Sequence, residues 1–233
     1  MVFEKLESRV IYEGEIETLT PIHIGSGKPE LEETAGIDLP ILKDPNDTPY
    51  IPGSSLKGKV RSEAERIART TGLKVCKPPA IEGMCGSTAR TEEDLCIACR
   101  IFGTASMRGG ISRASKVRFR DAFPTTQISS SLVRTGIAID RTTGSVKGGA
   151  LYSIEAVPRN AKFRLEIVTE NLKEDELRLL KAALKSLEDS SLGGHSSRGM
   201  GKIKLQFSQA RERTSKYYMG QEPEKVIPRD KIW

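Results

Sequence analysis

Two stretches of helical periodicity, each flanked by runs that alternate apolar and polar residues, limit the ways this chain can fold. Residues 54–70 place Leu56, Val60, Ala64, Ile67 and Ala68 on one face after a Pro-Gly-Ser-Ser entry, where Ser54 or Ser55 is expected to cap the helix. A second helix sets Leu177, Leu180, Leu184 and Leu187 on one face behind Glu174, Asp175 and Glu176, whose charge suits the positive end of the helix dipole. Around them, residues 9–18 alternate Val10, Tyr12 and Ile16 with Glu13, Glu15 and Glu17, the period-2 pattern of a half-buried strand. Residues 116–123 give a strand with a basic face, and 202–207 give a final one. The runs at 150–157 and 162–169, separated by residues 158–161, are expected to form a β-hairpin. The order is β, α, insertion, β, hairpin, α, β. This predicts an α+β fold, a ferredoxin-like (RRM-like) βαββαβ palm with long loop insertions.

Three segments interrupt that core. Residues 21–52 are rich in Gly, Pro, Asp and Asn and predict a long loop, residues 72–100 hold every cysteine, and residues 124–149 are too polar for core. The charged segment 209–233 contains Pro223 and Pro228 and is expected to drape over the surface of a single domain spanning 1–233. The chain has 37 Lys and Arg against 31 Asp and Glu, a net charge of +6 that favours polyanionic partners. The aromatic signature with which an RRM stacks bases is missing from KVRFRDAF, whose polar side carries only cations. No apolar run approaches the roughly 20 residues of a membrane span, and the start lacks a secretory apolar stretch, so no membrane partner and a cytoplasmic location are expected.

The cysteines run Cys76-x8-Cys85-x10-Cys96-x2-Cys99. A C-x2-C knuckle with two further thiols nearby suits tetrahedral, structural Zn²⁺, the alternative being four buried thiols. Lys57, Lys59 and Arg61 fall in the first two turns of the first helix, against its dipole, which a bound phosphate would relieve; Arg61 has a competing partner in Glu65 one turn on. GGHSSRGMGK at 193–202 has four glycines that admit close approach of a phosphate, with Ser197 and Arg198 as donors. HIGSG at 23–27 and AGIDLP at 35–40 supply His23 and Asp38 as candidates for proton or metal chemistry.

In order and spacing, HIGSG, GIDLPILKDPNDTPYIPGSSLKGKVRS, IFG at 101–103, VRFRDAF, IDRTTGSVKGGALYSIEAVP and LGGHSSRGMGKI resemble the repeating backbone subunit of type III-A CRISPR effector complexes, the Csm branch of the RAMP superfamily. The resemblance runs to about residue 207. It implies a palm, a thumb-like hairpin from 124–149, and copies stacked in a filament along a CRISPR guide RNA beside other type III effector subunits. It also implies metal-dependent cleavage of complementary target RNA, with Mg²⁺ or Mn²⁺, at regular intervals. The matched catalytic position is Asp38. The matched guide contacts are His23, Lys57, Lys59, Arg61, Arg134 and Arg141, joined by Ser54, Ser55, Ser197 and Arg198 of the two loop segments. Three other readings stay open: a scaffold that binds guide RNA without cutting, a metal-independent CRISPR RNA-processing nuclease using His23 as acid or base, and a stand-alone zinc-stabilised RNA-binding protein.

Overall fold

Strand β1 (Ser8–Thr18) buries Tyr12, Ile16 and Thr18 on one side and turns its glutamates to the other, as its alternation predicts. It lies at the centre of a five-stranded antiparallel sheet with β5 (Lys162–Glu170) on one side and β6 (Ile203–Thr214) on the other. Short strands complete the edges, β2 (Val117–Phe119) beside β5 and β7 (Lys225–Ile227) beside β6, giving the order β2-β5-β1-β6-β7. The computed structural model describes residues 5–25, 36–107 and 109–232.

Helix α1 (Gly53–Thr70) connects β1 towards β2, and α4 (Glu174–Asp189) connects β5 to β6. Leu56, Val60 and Ala64 of α1 and Leu180, Leu184 and Leu187 of α4 join Phe163, Leu165, Ile167, Ile203 and Leu205 of the sheet in one core. Glu63 of α1 is buried in the seam between the helices, where Ser186 of α4 and Ser190 just after it donate to it at 2.9 and 3.1 Å. Between α1 and β2 lies the cysteine segment, with the short helices α2 (Cys85–Thr88) and α3 (Ile97–Phe102).

Three expectations change. The strands flanking residues 158–161 do not form a hairpin with each other: β5 enters the main sheet, while β4 (Val146–Ala156) pairs with β3 (Leu132–Ile139) in a separate two-stranded arm. The hairpin therefore spans 132–156, where 124–149 was expected. The last strand continues past 207 to Thr214, and the chain beyond it is built structure: α5 (Ser215–Tyr218), β7, and α6 (Arg229–Ile232), whose Ile232 is buried in the main core. Finally, neither Ser54 nor Ser55 caps α1. Pro52 occupies the cap position, and the Gly53 N–H donates to Asp121 Oδ1 at 2.7 Å. A Cβ at Gly53 would stand 2.1 Å from the Phe119 carbonyl oxygen, so only glycine lets the helix start this close to the β2 strand.

Candidate RNA groove and cleavage loop

An open groove brings together three segments that are distant in sequence. His23, Ile24 and Gly25 come from the loop after β1, Ser54, Ser55, Gly58, Lys59 and Ser62 from the start of α1, and Leu192, Gly193 and Gly194 from the glycine-rich loop after α4. Backbone bonding makes the junction: the Gly194 N–H donates to the His23 carbonyl at 2.8 Å. A Cβ at Gly193 would stand 2.3 Å from that same carbonyl oxygen. Ser26 and Gly27 of the HIGSG motif lie outside the described residues.

His23 is buried, and its Nδ1 lies 2.7 Å from the Glu155 carbonyl oxygen. A carbonyl only accepts, so Nδ1 carries the proton and donates. The ring meets His195 edge-on at 5.1 Å. Burial foremost, with the neighbouring His23 and Arg198 adding to it, pushes His195 below the usual imidazole range.

The cations of α1 divide by partner. Lys59 pairs with Glu63 at 3.0 Å. Arg61 binds Glu65 at 2.9 Å and also donates to the Gly103 carbonyl at 3.2 Å and to Cys99 Sγ at 3.4 Å, which turns it toward the cysteine segment. Lys57 has no carboxylate partner among the described residues; burial and the neighbouring Arg61 both lower its pKa, a conflict that an anion would relieve. Ser197 lines a separate hydroxyl-rich depression with Thr20, Ser190, Ser191, Ser196 and Lys202. Arg134 and Arg141 stand on the β3–β4 arm, Arg134 on β3 opposite Ile154 and Arg141 in the turn at its tip, both outside the groove.

Asp38 is exposed on the loop that docks against β4. The Ser153 N–H donates to Asp38 Oδ2 at 2.7 Å, the Ser153 hydroxyl lies 3.0 Å from the same oxygen, and the Asp38 N–H donates back to Ser153 Oγ at 2.9 Å. These bonds, the backbone one foremost, hold the carboxyl below the usual aspartate range, so it is ionised at neutral pH. Oδ1 has no partner among the described residues. Sequence reasoning missed Glu155, whose side chain is buried yet accepts from the Ile41 N–H at 3.1 Å and pairs with Lys43 at 3.0 Å. Burial works to raise this carboxyl, but bonds from Ser131, Ile41 and Lys43 outweigh it and keep the group ionised. One residue of β4 thus holds the Asp38 loop by its side chain and His23 by its backbone. The sequence signal was a glutamate inside the apolar run ALYSIEAV.

The four cysteine sulfurs are buried and lie within 4.8 Å of one another. A tetrahedron of sulfurs about 2.3 Å from a central Zn²⁺ has edges of about 3.8 Å, so the donor set fits a divalent ion after small rotations. The Cys96 N–H donates to Cys85 Sγ at 3.3 Å and the Cys99 N–H to Cys96 Sγ at 3.4 Å, the amide-to-sulfur bonds that suit thiolates.

A family model described as the RAMP superfamily matches residues 15–204. The chain belongs to the RAMP superfamily. Among curated relatives, this RAMP protein is 34% identical over 246 residues to the "CRISPR system Cms endoribonuclease Csm3" of Methanothermobacter thermautotrophicus, covering 96% of this chain and 94% of the relative. It is 33% identical to the Csm3 of Methanocaldococcus jannaschii, covering 94% and 88%, and 31% identical to that of Streptococcus thermophilus, covering 87% and 88%. Among solved structures, it superposes on a chain of the Csm3-Csm4 subcomplex of the type III-A CRISPR-Cas interference complex with a TM-score of 0.59 and 26% identity, covering 98% of both chains. Among the described residues, no helix of this RAMP protein is long and apolar enough to cross a membrane.

Proposed function

We propose that this RAMP protein is the endoribonuclease subunit that forms the backbone of a type III CRISPR interference complex. It binds guide RNA, repeats along it in a filament beside other effector subunits, and cleaves complementary target RNA. The observation that carries this reading is the end-to-end likeness to relatives named Csm3 endoribonuclease. The strand order β2-β5-β1-β6, with α1 and α4 as its connections, supports a ferredoxin-like palm, and the β3–β4 arm supports the thumb.

In this reading His23, Ser54, Ser55, Lys57, Lys59, Ser197 and Arg198 contact guide RNA from the palm, and Arg134 and Arg141 do so from the arm. Phosphate contacts of this kind fix position, and base pairing supplies sequence. Arg61 holds α1 to the cysteine segment instead of touching RNA. Asp38 acts at the target. The RNA 2′-hydroxyl gives its proton to Asp38 or to water as its oxygen attacks the adjacent phosphorus, closing a 2′,3′-cyclic phosphate, while the bond to the 5′-oxygen breaks and that oxygen takes a proton from water. Asp38 is anionic and its Oδ1 has no partner among the described residues, which suits a general base or a ligand to Mg²⁺ or Mn²⁺. Such an ion would offset the charge that builds on the phosphate. The cysteines support one structural Zn²⁺ per chain, and elemental analysis of protein purified without chelator is expected to find it. Four freely titrating thiols and no zinc would reject that site.

The main test is cleavage of a guide-complementary RNA by reconstituted complexes carrying Asp38→Ala. The expected loss is about 10²- to 10⁴-fold in rate, with guide binding and filament length unchanged, and EDTA should stop the wild type. A scaffold without cleavage is the second reading, favoured by the bonds that tie Asp38 to Ser153 as a loop fastener. Equal rates in the two complexes would reject Asp38 as catalytic and favour the scaffold, as would absence of cleavage in the wild type.

A further inference from the structure

β4 reaches the groove through a closed chain of side-chain contacts. Gly136 lies opposite Tyr152 in the β3–β4 register, and a Cβ there would stand 2.3 Å from Tyr152 Cζ, so the glycine is what lets the ring lie across the neighbouring strand. Seated this way, the Tyr152 hydroxyl accepts from Arg198 Nη1, and the guanidinium carbon is 5.7 Å from the ring centroid. The same Nη1 lies 3.4 Å from His195 Nδ1. His195 packs on His23, and His23 returns to β4 through the Glu155 carbonyl. The chain of contacts starts and finishes on one strand, three residues apart. Arg198 is exposed, and its Nε and Nη2 have no partner among the described residues. Those two donors form the planar fork that suits a phosphate.

We infer that Tyr152, seated by Gly136, is a positioning residue for RNA binding: it holds Nη1 of Arg198 so that the Nε/Nη2 edge is presented to a guide-RNA phosphate. The inference rests on the reading of the groove as a guide-RNA site. An arginine free to sample all its rotamers loses more entropy on binding than one already fixed at one nitrogen. Tyr152 itself touches no phosphate in this arrangement and acts only through Arg198.

The test is a binding cycle on the full-length chain with a guide RNA, read as affinity across a salt series. Arg198→Ala should weaken binding and reduce the magnitude of the log K against log[salt] slope by about 0.7, the signature of one lost phosphate contact on a single strand. Tyr152→Phe keeps the ring and removes the hydroxyl. It should weaken binding about three- to tenfold, the range of one hydrogen bond, with the slope retained. Added to Arg198→Ala, it should do nothing more. Gly136→Ala, which keeps the tyrosine but pushes its ring and hydroxyl away from Arg198, should reproduce the Tyr152→Phe loss. Unfolding midpoints of the variants establish that each is folded. An unchanged affinity in Tyr152→Phe, or a loss that adds to that of Arg198→Ala, would overturn the inference alone. An Arg198→Ala chain with unchanged affinity and slope would overturn the groove reading and the inference together.

Discussion

The five-stranded sheet and the β3–β4 arm are both antiparallel, yet they use their residues in opposite ways. In the sheet, Phe163, Leu165, Ile167, Ile203 and Leu205 are buried beneath α1 and α4. Its other face carries ion pairs: Glu170 accepts a two-pronged bond from Arg118 at 2.8 and 2.9 Å and another from Arg9 at 2.7 Å, and Arg211 reaches Glu13 at 2.8 Å. The arm is closed only at its base, where Ile154 and Ala156 pack on Met200. Farther out, Ile139, Val146 and Leu151 are 60%, 56% and 69% exposed. The sheet buries the core on one face and carries paired charges on the other. The arm adds little to its own stability and offers contact area.

The contrast can be broken most directly at Phe163. Phe163→Ala empties a site in the centre of the core and should lower unfolding free energy by about 3–5 kcal/mol in a urea titration, without changing its slope. A cost below about 1 kcal/mol would mean that the sheet is not where stability resides.

Glu170→Gln should cost less, about 1–2 kcal/mol, because Arg9 and Arg118 are both partly exposed and screened. Its effect depends on pH. The Arg118 fork, with Arg9 adding and burial opposing, holds the Glu170 carboxyl below the usual glutamate range. The unfolded chain therefore takes up this proton first as pH falls. The contribution is complete above about pH 4.3, the ordinary glutamate value, and is lost as pH drops through the lower folded value. Stability curves at pH 7 and in the acid limb should converge for wild type and Glu170→Gln at low pH. A gap that stays constant would show that the outer face is not held by this charge.

The smallest effect is expected on the arm. Leu151→Ala should change unfolding free energy by less than about 0.5 kcal/mol in the isolated chain. A loss of 2 kcal/mol or more would show that the arm is packed in solution and would remove the contrast.

The parts of the fold legible from sequence are those whose period was set by one buried face. The helices carried by Leu56 and Val60 and by Leu180 and Leu184 stand where their spacing places them, and so does β1. β3 was invisible for the opposite reason: Val133, Ile137 and Ile139 face solvent, so no alternation marks them. Without β3, β4 appeared to have only β5 to pair with, and the turn-like residues between them suggested a hairpin. The second half of β6, Gln209–Thr214, looks like a tail in sequence because its polar residues meet partners from β1 and β7, Arg211 with Glu13 and Glu212 with Lys225. Within the site, residue types and loop identities were legible for His23, Lys59 and the Gly193 loop, which do converge. Arg61 was the harder case, since the competing pair with Glu65 is the one that forms. Asp121, which accepts from the first N–H of α1 just after β2, and Glu155, the joint under both loops on β4, come from segments far away in sequence, and no local pattern announces a partner of that kind.

The joint at Glu155 has a mechanical consequence. A gauge reads true only when its jaw and its scale are cut from the same piece. Here the seat of His23 and the anchor of the Asp38 loop are fixed to the same residue, one by the carbonyl and the other by the carboxylate. Any tilt of β4 therefore carries both by the same amount. If the groove and the Asp38 loop act as proposed, the distance between the place where guide RNA is held and the place where target RNA is cut would be a fixed offset within each subunit, and identical subunits placed end to end would repeat that offset without accumulating error.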